Sequence, residues 1–364
     1  MLRLVFCALI VSTTLSCSKK TDGNASSSVV DDNYTCVTSP KVGNFSQLQL
    51  LQNTDLSTLQ KIASGSTPNS DGSIADNKTG YFHVRFQKGV VVLAEYAIAS
   101  NRTDILEMAV KAIEYSFSHM LMSGDFDFVV PISVGGVPSS GDRASADAFF
   151  LTALGPTLTL LYSSNFFNAP AQSSYKLRIE NLRPQIQSAI NFLKTQIATL
   201  KNYDEKAPNR LFYDALAFYS LGIWLNDSVS KTKASEFISL GLASFNSKGY
   251  FTELNGWDSS YNGVSTAILA RYISLMSLSE TYADELWTKY SCSVDWQKSR
   301  VMVSGEISTQ GNTRVYIGGE VFLGSEKKVA WIDTLTTFLF FKTQSGSTSK
   351  YQSQIDKLIS FYGN

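Results

Sequence analysis

The chain has 364 residues, and its 31 basic and 31 acidic side chains give a formal net charge of zero. Nucleic-acid-binding proteins need an excess of Lys and Arg to neutralise phosphates, so this balance argues against a nucleic-acid partner. With only two His and no C-x-x-C pair, we expect neither a metal site nor a cofactor.

Residues 1–16 have the organisation of a secretory signal peptide. Arg3 supplies a positive charge, an apolar run spans 4–11, and small and polar residues lead to Cys17. The run is too short for a permanent transmembrane helix. The Leu-Ser-Cys ending resembles the lipobox of bacterial lipoproteins. That resemblance implies cleavage before Cys17, acylation of this residue and anchoring of the exported protein to the bacterial cell envelope; the alternative is ordinary secretion with Cys17 incidental.

Residues 17–35 comprise the predicted lipidated Cys and a polar segment. The segment has almost no apolar content, which predicts a flexible tether between the membrane and a folded body. Cys36 and Cys292 are the two thiols that remain after signal removal and acylation. Because an exported chain meets an oxidising environment, we expect a Cys36–Cys292 disulfide; two free buried thiols are the alternative.

Residues 36–364 are predicted to form a single all-α domain. Stretches that are apolar on nearly every side, such as 147–162 and 211–225, must be surrounded by protein, whereas amphipathic stretches such as 175–200 can cover them from outside. Their alternation predicts an incomplete (α/α)5–6 toroid of inner and outer helices. A helical-repeat solenoid fits the fully apolar helices less well, and these stretches are shorter than the roughly 20 residues that a membrane span needs.

Two kinds of loop interrupt the helices. Long loops at 128–145 and 252–263 both lead into inner helices, so we expect them to gather at one mouth of the ring, where function is usually located. Residues 299–323 alternate with period two around a turn signal at 309–312. This insertion is predicted to form a small β-hairpin that lies over the ring.

The first candidate cluster begins the inner helix at 208. Asn209 is a natural N-cap, Arg210 follows it, and Tyr213 and Asp214 lie one turn further into an apolar helix. A buried Asp is rare unless it is paired. The cluster is therefore either a functional group or a capping arrangement in which Asp214 is bonded to Arg or Tyr inside the ring.

The second candidate cluster lies at the start of the next inner helix and contains Trp257, Asp258, Tyr261 and Asn262. Trp stacks on sugar faces, while Asp and Asn can bond hydroxyl groups. The alternative is that Asp258 or Ser259 caps the helix and that Trp257 packs in the core.

The remaining candidates are charged residues near the expected mouth. Arg314, in the predicted hairpin with Glu320 nearby, has the planar fork that pairs with a carboxylate, although a solvated surface hairpin is the alternative. His83 and Arg85 begin an inner helix and could reach the same mouth, with His83 as a possible base.

The alternating helices, the Asn209/Tyr213 pair and the Trp257-Asp258…Tyr261 loop resemble the toroidal domains of polysaccharide lyases, of the alginate lyase and heparinase or chondroitinase type. The resemblance implies that Asn209 neutralises a uronate carboxylate and that Tyr213 or Tyr261 moves protons during β-elimination. The His that usually lies close to this Asn is absent, because Arg210 and Leu211 follow it. The C-terminal β-sandwich of many such lyases is missing as well.

Three classes of function remain open: an enzyme, which could be a lyase or a hydrolase, a binding protein and a scaffold. A polysaccharide lyase would hold the carboxylate with Asn209 and Arg314, whereas a glycoside hydrolase would pair Asp258 with Asp214 or Glu320. A non-catalytic lipoprotein would bind a glycan or a protein partner at the same mouth, and a scaffold protein would have no pocket there. We favour a toroid directed at polysaccharide or oligosaccharide, without deciding between enzyme and binder.

Overall fold

The computed structural model describes residues 35–36, 38–41, 43, 45–135, 138–347 and 349–363. The predicted signal peptide, Cys17 and all but the last residue of the predicted tether lie outside the described residues.

The described residues are mainly helical. In chain order the helices are α1 (Gln47–Gln52), α2 (Leu56–Ser64), α3 (Val90–Ser100), α4 (Thr103–Ser118), α5 (Ile132–Gly135), α6 (Ser140–Ser163), α7 (Asn165–Asn168), α8 (Ser173–Asn181), α9 (Arg183–Thr195), α10 (Ile197–Asp204), α11 (Pro208–Trp224), α12 (Ser228–Ala243), α13 (Ser259–Leu275), α14 (Ala283–Ser299), α15 (Trp331–Gln344) and α16 (Gln352–Tyr362). Short strands β1 (Phe82–His83) and β2 (Phe128–Val129) pair antiparallel, as do β3 (Val321–Phe322) and β4 (Ser325–Glu326).

The predicted α/α toroid is confirmed. An inner ring runs α3–α6–α11–α13–α15, each helix packed on the next. Outer helices cover it: α4 packs on α3, α12 on α11, α14 on α13 and α16 on α15, while the predicted outer stretch 175–200 is divided into α8, α9 and α10. Inner helices bury side chains on every side because each has helical neighbours all around it.

Helix α6 shows why an inner helix can resemble a membrane span. It has 24 residues and is long and apolar enough to cross a bilayer, but 94% of its most apolar window is buried inside the protein. The expectation that all apolar stretches are shorter than a span was therefore wrong for α6, which continues through Pro156. Gly155 allows its close packing on α11, since a Cβ there would lie 1.9 Å from Ser220 Oγ.

Helix α1 closes one end of the ring. The sequence predicts one outer helix over 46–63, but the chain forms α1 and α2 instead. Helix α1 packs on α3, α6, α13 and α15, with Leu50 and Leu51 fully buried. Gln47 Oε1 accepts a hydrogen bond of 3.2 Å from Thr159 Oγ1, near the C-terminal end of α6. The C-terminal ends of the inner helices therefore face the closed end.

The opposite, open end is covered in part by the insertion between α14 and α15. A two-stranded ribbon does occur there, but β3 and β4 pair across residues 321–326, later than predicted. Residues 301–303 and 315–317 do not pair with each other; Val301 instead bridges Ile307, and Asn312 bridges Trp257. Contacts with the ring, rather than period-two alternation, determine the path of this segment.

The predicted Cys36–Cys292 disulfide is present, with a Cα–Cα distance of 5.1 Å. It attaches the start of the described chain to α14. Ser39 adds two hydrogen bonds on the same helix: its N–H donates to Ser291 Oγ at 2.8 Å, and its carbonyl accepts from Trp287 Nε1 at 2.7 Å.

Candidate functional site

A cavity made of three adjoining chambers lies at the open end of the ring. The polar chamber, of about 230 Å³, is lined by His83, Asp142 and Arg210 among others. The apolar chamber, of about 470 Å³, extends between α3, α13 and α15. The tyrosine chamber, of about 170 Å³, is lined by Tyr213 and Tyr261. All five inner helices contribute side chains from their N-terminal halves, as the clustering of loops at one mouth predicts.

Arg85 lies where the three chambers meet, since it and Phe149 line all of them. Its guanidinium is stacked between the rings of Phe149, at 3.9 Å, and Phe322, at 4.6 Å. No carboxylate of the described residues forms an ion pair with it, and burial lowers its pKa. An arginine that is held by aromatic rings but lacks an anionic partner is well suited to receive an anion from a ligand.

A short hydrogen-bonded chain borders the tyrosine chamber, which two of its members, Lys327 and Tyr261, line. Lys327 Nζ donates to Tyr261 Oη, and Tyr261 Oη donates to Glu320 Oε2 at 2.6 Å. Burial and the nearby charge of Arg85 lower the pKa of Lys327 to about 7, against the opposing effect of Glu320. Burial raises the pKa of Tyr261. At neutral pH, Lys327 is therefore present partly as a free amine beside a phenol that keeps its proton.

Arg314 contacts two members of this hydrogen-bonded chain, Tyr261 and Glu320. Its guanidinium lies over the Tyr261 ring at 4.2 Å and pairs with Glu253 and with Glu320, the latter at 2.7 Å. Although burial opposes ionisation of Glu320, hydrogen bonds from Arg314 and Tyr261 lower the pKa of this carboxyl group to about 2. Arg314 is thus already paired with two carboxylates of the protein. Arg85 is therefore the better candidate to bind a carboxylate of a ligand.

Asn209 and Tyr213 face the tyrosine chamber from α11. Asn209 is not the N-cap, which is Ala207; Asn209 lies in the first turn and is buried with Oδ1 unpartnered. The Tyr213 ring packs on Phe149 with centroids 3.8 Å apart, and burial raises its pKa. The structure therefore brings Asn209, Tyr213 and Tyr261 to one chamber.

The polar chamber contains Arg210 and His83. Arg210 pairs with Asp204 at 3.3 Å, and burial raises the pKa of Asp204 to about 6 against that attraction. His83 Nδ1 accepts a 3.3 Å bond from the backbone N–H of Arg85, and its ring is 4.5 Å from that of Phe128. Burial and Arg85 lower the His83 pKa to about 3, so at neutral pH the ring caps this turn in its neutral form.

Asp258 does not line any chamber. It is the N-cap of α13: its Oδ1 accepts from the N–H groups of Ser260 and Tyr261, both at 3.0 Å. Its Oδ2 accepts from those of Arg314, at 3.0 Å, and Val315, at 2.8 Å. Four backbone hydrogen bonds occupy this buried carboxylate. The catalytic assignment of Asp258 is therefore replaced by the alternative, a helix cap, here one that also binds the insertion.

Trp257 and Asn262 also lie outside the cavity. Trp257 is covered by the insertion, since a Cβ on Gly311 would be 2.6 Å from its Cζ2. Asn262 joins α13 to α14: its Oδ1 accepts from Ser293 Oγ at 2.8 Å, and its Nδ2 donates to Gln297 Oε1 at 3.0 Å. Both residues thus contact other parts of the protein, and neither lines the chambers to which their substrate-binding role was assigned.

The predicted hydrolase carboxylates do not meet across the cavity. Asp214 is buried with both oxygens unpartnered, and burial together with Asp204 raises its pKa well above the usual value. Glu320 is held by Arg314, and Asp258 is occupied as described. None of the three is among the described residues that line the chambers.

The wall of the cavity is richer in cations than in carboxylates, although two of its cations, Arg210 and Arg271, are paired with Asp204 and Glu95. Among the described residues that line it, cationic side chains outnumber carboxylates: Arg85, Lys88, Arg210, Arg271, Lys327 and Lys328 face Asp142 and Asp333. The N-terminal ends of the parallel inner helices also point toward this end of the ring. Their partial positive charges add to the attraction for a negatively charged ligand.

Sequence reasoning missed Lys327, Phe149 and Phe322. A signal for Lys327 was present: the pair Lys327-Lys328 comes immediately before an inner helix, at the position where loops reach the mouth. For the two aromatic residues there was no comparable signal, because an aromatic ring in an apolar stretch is usually core.

No protein-family model matches the chain, and no curated protein matches it. Its fold is similar to that of a glycosyl hydrolase family 88 protein from Bacteroides vulgatus, with a TM-score of 0.53 and 11% identity over 87% of this chain and 85% of the other. A D-mannose isomerase structure aligns with a TM-score of 0.49 and 14% identity over 87% and 86%. At such low identity, the first similarity establishes a shared α/α-toroid fold.

Proposed function

We propose that this protein binds a uronate-containing glycan in the cavity and cleaves it by β-elimination. The observation that carries the proposal is the Lys327–Tyr261–Glu320 chain, of which Lys327 and Tyr261 line a cation-rich chamber together with Asn209. That the shared toroid fold occurs in a protein described as a glycosyl hydrolase supports a carbohydrate ligand.

In this proposal Arg85 and Asn209 hold the uronate carboxylate. Arg85 has no anionic partner among the described residues, and Asn209 lines the same chamber. Neutralising the carboxylate lowers the pKa of the adjacent C5–H bond, because the charge that develops there in the transition state is stabilised. Arg314, which the sequence suggested for this task, instead orients Tyr261.

Protons then move along the hydrogen-bonded chain. The free amine of Lys327 removes the C5 proton, the C–H electron pair forms the C4–C5 double bond, and the C4–O bond breaks. Tyr261 Oη gives its proton to the leaving oxygen, and the resulting phenolate recovers a proton from the Lys327 ammonium. The pKa of Lys327, about 7, suits a base, and the raised pKa of Tyr261 keeps the phenol protonated, so that a proton is available for the leaving oxygen.

The test is incubation of the purified protein with a panel of uronate polymers while the ultraviolet absorbance of the unsaturated product is recorded. We expect product from at least one polymer, and a rate about 100-fold lower for Tyr261→Phe. Tyr316→Phe is the matched control, since Tyr316 is a surface residue of the same insertion. Product formation that Tyr261→Phe leaves unchanged would contradict the mechanism.

A second candidate is binding of an acidic glycan without cleavage. It is favoured by the ion pair between Arg314 and Glu320 beside Tyr261, because each of these charged groups already has a partner without a ligand. The same panel separates the two: a polymer that binds in calorimetry but yields no product supports the binder.

We further propose that the mature protein is exported and anchored through a lipid on Cys17. The Cys36–Cys292 disulfide supports an oxidising compartment. Mass spectrometry of the protein expressed in a bacterium should show acyl chains on Cys17, and Cys17→Ser should release the protein from the membrane fraction. A wild-type protein with an unmodified Cys17 would contradict the proposal.

A further inference from the structure

The largest chamber is the one that the proposed reaction does not use. The apolar chamber, of about 470 Å³, falls in the size range of ligand sites and not of packing defects. Its walls away from Arg85 are mainly hydrocarbon, supplied by residues of α2, α3, α11, α13 and α15: Ile62, Val91, Leu216, Ile268 and Ile332.

The one buried ion pair of this chamber carries no net charge. Arg271 lines the wall, and its Nη2 donates to both oxygens of Glu95 at 3.0 and 3.1 Å. The pair joins α13 to α3 across the ring. Because Glu95 cancels the charge of Arg271, this side of the chamber does not demand an anion, and an uncharged group can be accommodated against the hydrocarbon walls.

The charged residues of the chamber lie instead on its border with the tyrosine chamber. Arg85, Lys88, Tyr213 and Asp333 line both chambers. A ligand that reached from one chamber to the other would thus meet cations at one end and an apolar enclosure at the other.

Resting on the proposed function, we infer that the apolar chamber is a subsite for an apolar aglycone attached to the acidic sugar. The acidic residue occupies the tyrosine chamber beside Arg85, and the aglycone passes the shared wall and packs between α3, α11 and α13. The inferred substrate class is therefore an acidic glycan that carries a hydrophobic substituent.

The test compares the affinities of methyl and octyl glucuronides by calorimetry, with octyl glucoside as a neutral probe. We expect the octyl glucuronide to bind at least about tenfold more tightly than the methyl compound, because burial of several methylenes is worth more than that factor. The neutral octyl glucoside should bind more weakly than the octyl glucuronide, since it lacks the carboxylate.

Val92→Phe provides the structural control. Val92 lines the apolar chamber and is only part-buried, so a larger side chain can extend into the space. It should abolish the preference for the octyl compound and leave methyl glucuronide affinity unchanged, while Val92→Ala should keep the preference. Thermal unfolding of both variants verifies that they are folded.

The outcomes separate this inference from the proposed function. Equal affinities for methyl and octyl glucuronide, or a preference that survives Val92→Phe, would overturn the aglycone subsite while leaving acidic-sugar binding intact. Equal binding of octyl glucoside and octyl glucuronide would show that the chamber takes the alkyl chain without the acid, and the inferred substrate class would be wrong. If neither glucuronide binds, acidic-sugar binding fails as well.

Discussion

The two ends of the ring are stabilised by different forces. At the closed end, α1 inserts Leu50 and Leu51 among the inner helices, and the contacts are largely apolar. At the open end, Asp258, Arg314 and Glu320 hold the insertion through hydrogen bonds and ion pairs. The difference suggests that the closed end supplies stability while the open end supplies function, so substitutions at each end should affect different measurements.

The largest expected effect is on activity at the open end. Lys327→Met should lower the rate of product formation by about 10²–10⁴-fold, because the proposed base is removed. The melting temperature should change little, since a partly neutral lysine is replaced by a side chain of similar length. Lys176→Met, on the outer helix α8, is the control and should retain full activity.

At the closed end, Leu50→Ala should lower the free energy of unfolding by about 2–5 kcal/mol, because it leaves a cavity between α1 and the ring. Activity per folded molecule should be unchanged. Leu240→Ala, at an exposed position of α12, should alter stability by less than about 0.5 kcal/mol. Denaturant titration measures both. A loss of activity in folded Leu50→Ala would show that the two ends are coupled.

Asp258→Ala tests the part of the open end where stability and function overlap. Loss of a helix cap that also binds the insertion should cost about 2–4 kcal/mol in unfolding free energy, and should lower activity because Arg314 loses its backbone attachment. Asp227→Ala is a matched control: Asp227 caps the outer helix α12 without touching the insertion, and its loss should cost about 1 kcal/mol with activity intact. If both variants retain full activity, the cap does not position the site.

The smallest expected effect is a shift in the pH profile. Activity should rise as pH increases through about 7, because Lys327 acts as a base only after it loses its proton. Glu320 raises the pKa of Lys327, so Glu320→Gln should move the midpoint of this rise to lower pH. The midpoint is measured from initial rates between pH 5 and 9, a range that extends about two units to each side of it. A midpoint that moves upward would contradict the assignment.

Local sequence features were sufficient for the polar site residues at the entrances of the inner helices, although not for Phe149 of α6. Asn209, Tyr213 and Tyr261 occupy the first two turns of such helices, and Arg85 lies in the turn that leads into one. Once helices alternate between inner and outer, these turns have to face the same mouth. The prediction that brought Asn209, Tyr213 and Tyr261 together depends on this geometry and not on any catalytic motif.

Residues of the insertion could not be assigned in this way. Arg314, Glu320 and Lys327 lie in irregular backbone, and their partners Glu253 and Tyr261 are distant in sequence. Period-two alternation predicted a ribbon at the wrong residues because side chains such as Val315 are buried by contact with the ring and not by strand pairing.

The sequence by itself determined the toroid and the disulfide. All-round apolar helices have to be enclosed by others, and the prediction that the chain is exported with two remaining thiols favours their pairing. Only the tertiary structure decided which carboxylates already have hydrogen-bond partners and which cations have no ion-pair partner among the described residues. Asp258 accepts hydrogen bonds from four backbone N–H groups, while Arg85 lies between two aromatic rings. The physical reason is that charge pairing depends on distances between segments far apart in the chain, which hydrophobic periodicity does not encode.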